Sequence, residues 1–270
     1  MIHVCYNVNN KIFKGLLLSI MSVAKHASLP VYFHILSMDM SERNPDWLPM
    51  SEGELALIEK AITGYDARNK VEQIDCKALY AEYFARGRNQ RSFYTPYAML
   101  RLFLDKITLD GNPSKTLYLD TDTMCLKDIK ELWDIDITDY EFGASLDHAG
   151  KFWVDVDYCN SGVMTINLDK IKQTDLLAKT RERVFKLTMF MPDQSSLNYL
   201  AVAKLILPRK FNEQRKVTEN TVIRHFCRSF RFLPYPHIES VKQWEIDKVH
   251  NVLKLHALDD VYEDLEKLGV

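Results

Sequence analysis

No run of this sequence approaches the roughly 18 consecutive apolar residues that a membrane-spanning helix requires. The opening MIHVCYNVNN has no basic segment followed by a long apolar stretch, so no secretory signal is expected. Cysteine is sparse: Cys5, Cys76, Cys125, Cys159 and Cys227 are odd in number, scattered, and form no C-x-x-C. This excludes a disulfide frame or a cysteine zinc site and predicts reduced thiols in a cytoplasmic protein. Neither sign of charge dominates, and a net charge of −2 supplies no global attraction for nucleic acid. There is no internal repeat and no low-complexity linker. The 270 residues are enough for one large domain or two small ones.

What is present alternates between strands and helices. His3 to Tyr6 reads as a strand ended by Asn7, Asn9 and Asn10, and residues 12–26 have helical spacing of apolar side chains. After Pro30, Val31 to Leu36 reads as a second strand, which makes a parallel β-α-β opening. Ser51 and Glu54 form a capping-box signature for a helix to about Thr63. A strand over 70–75, a helix over 77–86, a basic loop (Arg86, Arg88, Arg91) and a packed helix starting near Pro96 follow. Strands are predicted at 140–146, 161–168 and 204–207, and helices at 169–187, 193–203 and 259–268. The whole predicts an α/β sandwich around a mainly parallel, Rossmann-like sheet, with a mixed C-terminal region.

One stretch stands out. Leu117, Tyr118 and Leu119 have the character of a buried strand, and Asp120 and Asp122 lie at its C-terminal end, followed by a helix-like segment from Lys127 to Trp133. Ligands in open α/β sheets bind beyond the carboxyl ends of strands. Two acids spaced i, i+2 there can share a hard divalent cation. The D-x-D pattern alone is weak, since Asp134/Asp136 and Asp155/Asp157 repeat it. Only Asp120/Asp122 sits between apolar neighbours, where unpaired carboxylates are costly.

Three segments, YLDTDTMCLKDIKELW, DYCNSGVMTINLDKI and MPDQSSLNYL, resemble the central motifs of the glycogenin-like retaining glycosyltransferases of family 8. FYTPYAMLRLF and DYEFGASLDHAGKFW resemble its bacterial galactosyl- and glucosyltransferase branch. The likeness extends through about residue 245, and it implies a GT-A glycosyltransferase domain over 1–245 with 246–270 as its helical extension. It implies that Asp120, Asp122 and His225 bind Mn²⁺ or Mg²⁺ bridging the diphosphate of UDP-galactose or UDP-glucose. It places Tyr6, Asn7 and Asn10 at the nucleoside, although three asparagines stand where an aspartate is common. Arg101, Asp147 and Asn160 would face the donor, with Asp193 and Gln194 near the anomeric carbon.

Several of these positions, and Gly162 of the NSGV run where the backbone would approach the donor, also have a plain structural reading. The asparagines can form a polar turn with an N-cap, Arg101 a salt bridge, Gly162 a tight strand entry, and Pro192-Asp193 an ordinary helix start. The tail departs from the family: no Lys-Pro-Trp follows His225, and Lys242-Gln243-Trp244 is the nearest substitute. Lys242 is therefore the first choice for the phosphate contact, with Arg228 and Arg231 as rivals. RSFRFLPYPH could line an acceptor site, contact the inner face of a membrane peripherally, or simply pack on the domain.

The implied reaction is retaining transfer of a hexose to a saccharide, glycolipid or glycoprotein. Gln194 is a poor nucleophile, so same-face displacement is favoured over a covalent glycosyl-enzyme. Two alternatives remain: a metal-dependent nucleotidyltransferase, disfavoured by the single glycine between Asn7 and Gly15, and a UDP-sugar-binding protein without catalysis.

Overall fold

A computed structural model describes residues 1–91, 95–231 and 237–270. The chain opens with β1 (Ile2–Asn7), α1 (Phe13–His26), β2 (Val31–Ser37), α2 (Glu52–Tyr65), β3 (Lys70–Asp75) and α3 (Lys77–Phe84). β1 and β2 are buried on both faces, as strands covered by helices on either side must be. The capping box at α2 forms: Ser51 Oγ accepts from the Glu54 amide at 3.3 Å, and the Ser51 amide donates to Glu54 Oε2 at 2.8 Å.

Next come β4 (Lys115–Leu119), β5 (Thr123–Cys125), α4 (Lys130–Trp133), β6 (Phe142–Leu146), α5 (Gly150–Trp153) and β7 (Cys159–Asn167). After α6 (Leu168–Gln173), α7 (Leu176–Lys186) and α8 (Pro192–Leu200) lie β8 (Lys204–Leu207), β9 (Ile223–His225), β10 (Ser229–Arg231), β11 (His237–Glu239), α9 (Ile246–Asn251) and α10 (Asp259–Leu268). One seven-stranded sheet has the order β3-β2-β1-β4-β7-β6-β8. β7 runs antiparallel to both of its neighbours, and the remaining pairs are parallel.

The sheet separates two cores. Leu16, Leu17 and Ile20 of α1, Ile58 of α2, and Val261 and Leu265 of α10 pack on one face. Phe84 of α3, Leu100, Phe103, Ile171 of α6, Leu177 of α7 and Leu197 of α8 pack on the other. Each fully buried large apolar side chain contributes about 1.5–3 kcal/mol, opposed by chain entropy.

Four expectations are corrected. The segment from Pro96 is a 3-10 helix to Phe103, with even Arg101 buried; wedged between the sheet and α7, it gains little from a one-sided α-helical register. The helix expected over 169–187 breaks at Asp175 (φ 56°), a turn that Asp tolerates better than most residues. The helix expected from Lys127 is only Lys130–Trp133, because the chain after Asp122 first pairs as β5. The strand expected over 161–168 begins earlier, at Cys159, after the short α5, and ends at Asn167. Phe93, Tyr94, Phe232, Leu233 and Tyr235, named in the sequence motifs, lie outside the described residues.

Candidate active site

β4 ends at Leu119, but Asp120 stays on the sheet, its amide donating to the Gly162 carbonyl of β7 at 2.7 Å. The Thr123 amide and hydroxyl both donate to the Asp120 carbonyl, at 3.1 and 2.8 Å, closing a turn that returns Asp122 beside Asp120. The β5–β9 pairing then sets Thr123 opposite His225, so a residue a hundred positions away lies over the turn. His225 Nε2 is 3.2 Å from Asp122 Oδ1 and 3.9 Å from Asp120 Oδ2. Ligand atoms of all three residues lie within 4.8 Å of one another.

A chain of hydrogen bonds fixes how His225 is presented. The Gly162 amide donates to Asn160 Oδ1 at 3.0 Å, so Asn160 Nδ2 faces Asp147 Oδ2, also at 3.0 Å. Asn212 Nδ2 donates to the same Asn160 oxygen at 2.9 Å, which leaves Asn212 Oδ1 to accept from His225 Nδ1 at 3.0 Å. Nδ1 of His225 therefore carries a hydrogen, and Nε2 faces the two carboxylates. Nε2 is the atom this orientation would offer to a cation held between Asp120 and Asp122.

Gly162 tests the fit of such a cation. A Cβ on it would lie 2.3 Å from His225 Cε1 and 2.8 Å from Asp120 Oδ2. Glycine lets the His225 ring and the Asp120 carboxylate pack against β7, and two carboxylate oxygens and one imidazole nitrogen converge beside it, a donor set suited to a divalent ion. The residues present fit a metal.

Lys242 comes to the same place. Its Nζ is 2.5 Å from Asp122 Oδ2 and donates to the Phe226 carbonyl at 2.9 Å. Burial favours a raised Asp122 pKa, but His225 and Lys242 outweigh it and hold that carboxyl well below the ordinary range. Gln243 Nε2 donates to the Thr121 carbonyl at 2.6 Å and to that of Gly15 at 3.2 Å. Trp244 covers Gly15, where a Cβ would come within 2.6 Å of the indole. Lys242-Gln243-Trp244 thus grips the D-x-D turn directly.

The chain matches the sequence profile described as glycosyl transferase family 8 over residues 3–232. It belongs to glycosyl transferase family 8. A putative glycosyltransferase of Haemophilus influenzae is 28% identical over 210 residues, covering 73% of this chain and 58% of that protein. General stress protein A of Bacillus subtilis is 26% identical over 172 residues, covering 51% of this chain and 59% of that protein. The chain thus spans under two thirds of the length of either relative. A crystal structure of the galactosyltransferase LgtC with donor and acceptor sugar analogues superposes with a TM-score of 0.66 at 20% identity, covering 100% of this chain and 97% of that one. The glycosyltransferase GlyE of Streptococcus pneumoniae gives 0.63 at 18% identity, covering 99% and 64%. The mainly parallel sandwich is the GT-A fold.

In this family 8 chain, the other expected site residues fall into two groups. Arg101 is buried and central: Nη2 is 3.0 Å from Asp120 Oδ1, Nε is 3.4 Å from Asp193 Oδ2, and Nη1 donates to the Ser161 carbonyl at 2.5 Å. Burial raises the Asp193 pKa, and Arg101 opposes that shift. Gln194 donates to Asp147 Oδ2 at 3.2 Å and accepts from the Ser161 amide at 3.0 Å. The amides of Ala149 and Gly150 hold the other Asp147 oxygen at 3.0 and 2.7 Å. Gln194, Asp147, Asn160, Asn212, His225, Asp122 and Lys242 therefore form one continuous polar network.

The nucleoside set is less uniform. Asn7 ends β1 beside Asp120, and it donates to the Ala98 carbonyl that Arg101 also uses. Its Oδ1 and that of Asn9 are buried without a partner, which fits a polar ligand at this edge. Asn10 instead ties to Leu48, its side chain accepting from the Leu48 amide at 3.3 Å. Tyr6 is placed elsewhere: its ring is fully buried and its hydroxyl meets Ser19 Oγ at 3.0 Å. Its side chain has no open face for a nucleoside. Of the rivals to Lys242, Arg228 is exposed, and the Arg231 side chain lies outside the described residues.

Sequence reasoning missed F-N-E-Q, residues 211–214, where all three polar side chains are buried. Asn212 orients His225. Gln214 braces the Asp147 loop, accepting from the His148 amide and donating to the Leu146 carbonyl, each at 3.0 Å. A run of three polar residues reads as a loop in sequence, and only its aromatic leader Phe211 hinted otherwise. Tyr118, a core residue by its sequence, also serves the site: its hydroxyl donates to Asp120 Oδ1 at 2.8 Å.

Proposed function

We propose that this chain is a metal-dependent, retaining hexosyltransferase that moves galactose or glucose from a UDP-sugar to a saccharide, glycolipid or glycoprotein. Support comes first from the orientation of His225: its Nδ1 is committed to Asn212, and its Nε2 converges with Asp120 and Asp122, while Gly162 lets the ring pack close against β7. Asp120, Asp122 and His225 would hold the ion, and an imidazole among the donors favours Mn²⁺ over Mg²⁺. A bound divalent ion supplies Lewis-acid stabilisation of the departing diphosphate.

The remaining roles belong to side chains of this chain. Lys242, already at Asp122, brings a point charge for a phosphate oxygen. Asp147 and Asn160 offer acceptor and donor atoms for sugar hydroxyls, and Asn7 offers an unpartnered carbonyl oxygen to the nucleoside. Arg101 holds Asp193 and Asp120 in place. An Asp193 so paired is a positioning group, which favours same-face displacement over a covalent intermediate on that carboxylate. Residues 1–245 carry these groups, and 246–270 extend the same unit, since the Tyr262 hydroxyl donates to the Gln243 carbonyl at 3.0 Å. No helix among the described residues is long and apolar enough to cross a membrane, and a peripheral contact remains part of the reading.

Thermal melting with UDP-, GDP- and ADP-sugars, with and without Mn²⁺, tests this reading. Stabilisation by UDP-sugars that requires the metal is expected. Equal stabilisation by all three nucleotides, or stabilisation indifferent to metal, would overturn it. Release of hexose from the stabilising donor, with the anomer read by NMR, then separates a retaining transferase from a binding protein.

A further inference from the structure

The C-terminal segment holds a second convergence of metal-ligating atoms, separate from the polar network around Asp122. His250 lies in α9, Asp259 is the first residue of α10, and His256 sits in the turn between them. His250 Nε2 is 2.7 Å from Asp259 Oδ1, and His256 Nδ1 is 3.3 Å from Asp259 Oδ2. The two imidazoles stack, centroids 4.6 Å apart and planes 22° apart. One ligand atom from each residue lies within 4.8 Å of the other two. We propose that His250, His256 and Asp259 form a second metal site, for a borderline divalent cation of the zinc class, which braces the C-terminal helices.

The donor chemistry separates this site from the first. Two imidazoles and one carboxylate suit Zn²⁺, Ni²⁺ or Cu²⁺, whereas two carboxylates and one imidazole admit Mn²⁺. Bonds of about 2.0–2.2 Å in a tetrahedron place ligand atoms about 3.4 Å apart. The two imidazole–carboxylate separations, 2.7 and 3.3 Å, fall below that spacing, and side-chain rotations would open them to it.

The scaffold holds the three residues in register. Buried Val249, Leu255 and Leu258 flank the ligands, the Leu255 amide donates to the Val249 carbonyl at 3.2 Å, and the Asp259 amide donates to the His256 carbonyl at 3.1 Å. Only nine positions separate the first ligand from the last, so closing the chelate costs little chain entropy. His256 is 64% exposed, which gives the ion an entry from solvent. The site also reaches the cleft indirectly. Tyr262 of α10 holds the Gln243 carbonyl, and Gln243 holds Thr121 between the two aspartates, next to Lys242.

Isothermal titration with Zn²⁺ alone, on the full chain, is the test. Asp122→Ala removes a ligand from the first site, so this variant is expected to bind one Zn²⁺ and to melt roughly 5 °C higher at a hundredfold excess over Kd. Asp122→Ala combined with His256→Ala should lose that equivalent and the shift; because His256 is exposed, the metal-free melting temperature should stay that of the parent. In the otherwise unaltered chain, His256→Ala should remove one equivalent, which keeps the test valid if Asp122→Ala folds poorly. Zinc binding that is unchanged by His256→Ala, or absent before it, would overturn the proposal. Neither result depends on the glycosyltransfer reading.

Discussion

Gly162→Ala perturbs the packing of His225 and Asp120 on which the metal reading depends. β7 lies between β4 and β6, so the backbone at 162 cannot retreat. Ordinary carbon contacts fall near 3.5 Å, so the 2.3 Å approach to His225 Cε1 leaves a shortfall of about 1.2 Å. His225 is buried and tied to Asn212, and Asp120 is tied to Arg101 and Tyr118, so any yielding comes from the ligand set. Metal sites tolerate displacements of about 0.2 Å, far less than this. Overpacking itself should cost about 1–3 kcal/mol of stability. Gly143→Ala is the matched control: its Cβ would meet Thr165 at 2.8 Å and Leu207 at 3.1 Å, another crowded strand position whose crowding neighbours are not site residues. Both variants should melt lower than the parent. Only Gly162→Ala should lose Mn²⁺-dependent stabilisation by UDP-sugar, and its transfer rate should fall at least about 100-fold, the scale on which a misplaced reacting geometry acts. If Gly162→Ala keeps the metal-dependent shift and near-parental transfer, the reasoning is refuted.

Asn212→Leu should free the His225 ring from its fixed orientation and weaken Mn²⁺ by about 10–100-fold, read from the metal dependence of donor hydrolysis; an unchanged metal requirement would show that Asn212 does not orient the ring. Lys242→Met should split two affinities, with Mn²⁺ alone binding more tightly because Asp122 loses a competing cation, and UDP binding more weakly; parallel changes in both would argue against a phosphate role for Lys242. Stability should also depend on a site remote from the cleft. Burial, with the neighbouring His34, lowers the His3 pKa to about 4, and burial lowers that of His34 against the opposing pull of Glu72. The unfolded chain takes up these protons near pH 6.5 while the folded chain resists them, so stability is lost as pH falls from about 6.5 toward 4. Melting curves across that range should show the decline, and His3→Phe should flatten it.

The elements most faithful to the sequence are those whose signal is local. Lys70–Asp75 and Lys204–Leu207 have the predicted bounds, and the Ser51 capping box forms as spaced, because each depends on periodicity or on side chains three residues apart. The 3-10 helix at Pro96–Phe103 and the break at Asp175 were not legible, because contacts with distant layers decide them.

The candidate site divides along the same line. By itself the sequence determined the alternation of strands and helices and the delivery of Asp120 and Asp122 to a strand end, since local side-chain spacing and burial dictate both. Only the tertiary structure decided that β5 pairs with β9, that Asn212 turns His225 toward those carboxylates, and that Lys242-Gln243-Trp244 closes on the turn. These contacts join residues from 13 to 122 positions apart. No local propensity encodes such pairings, because their free energy exists only once the sheet has brought the partners together.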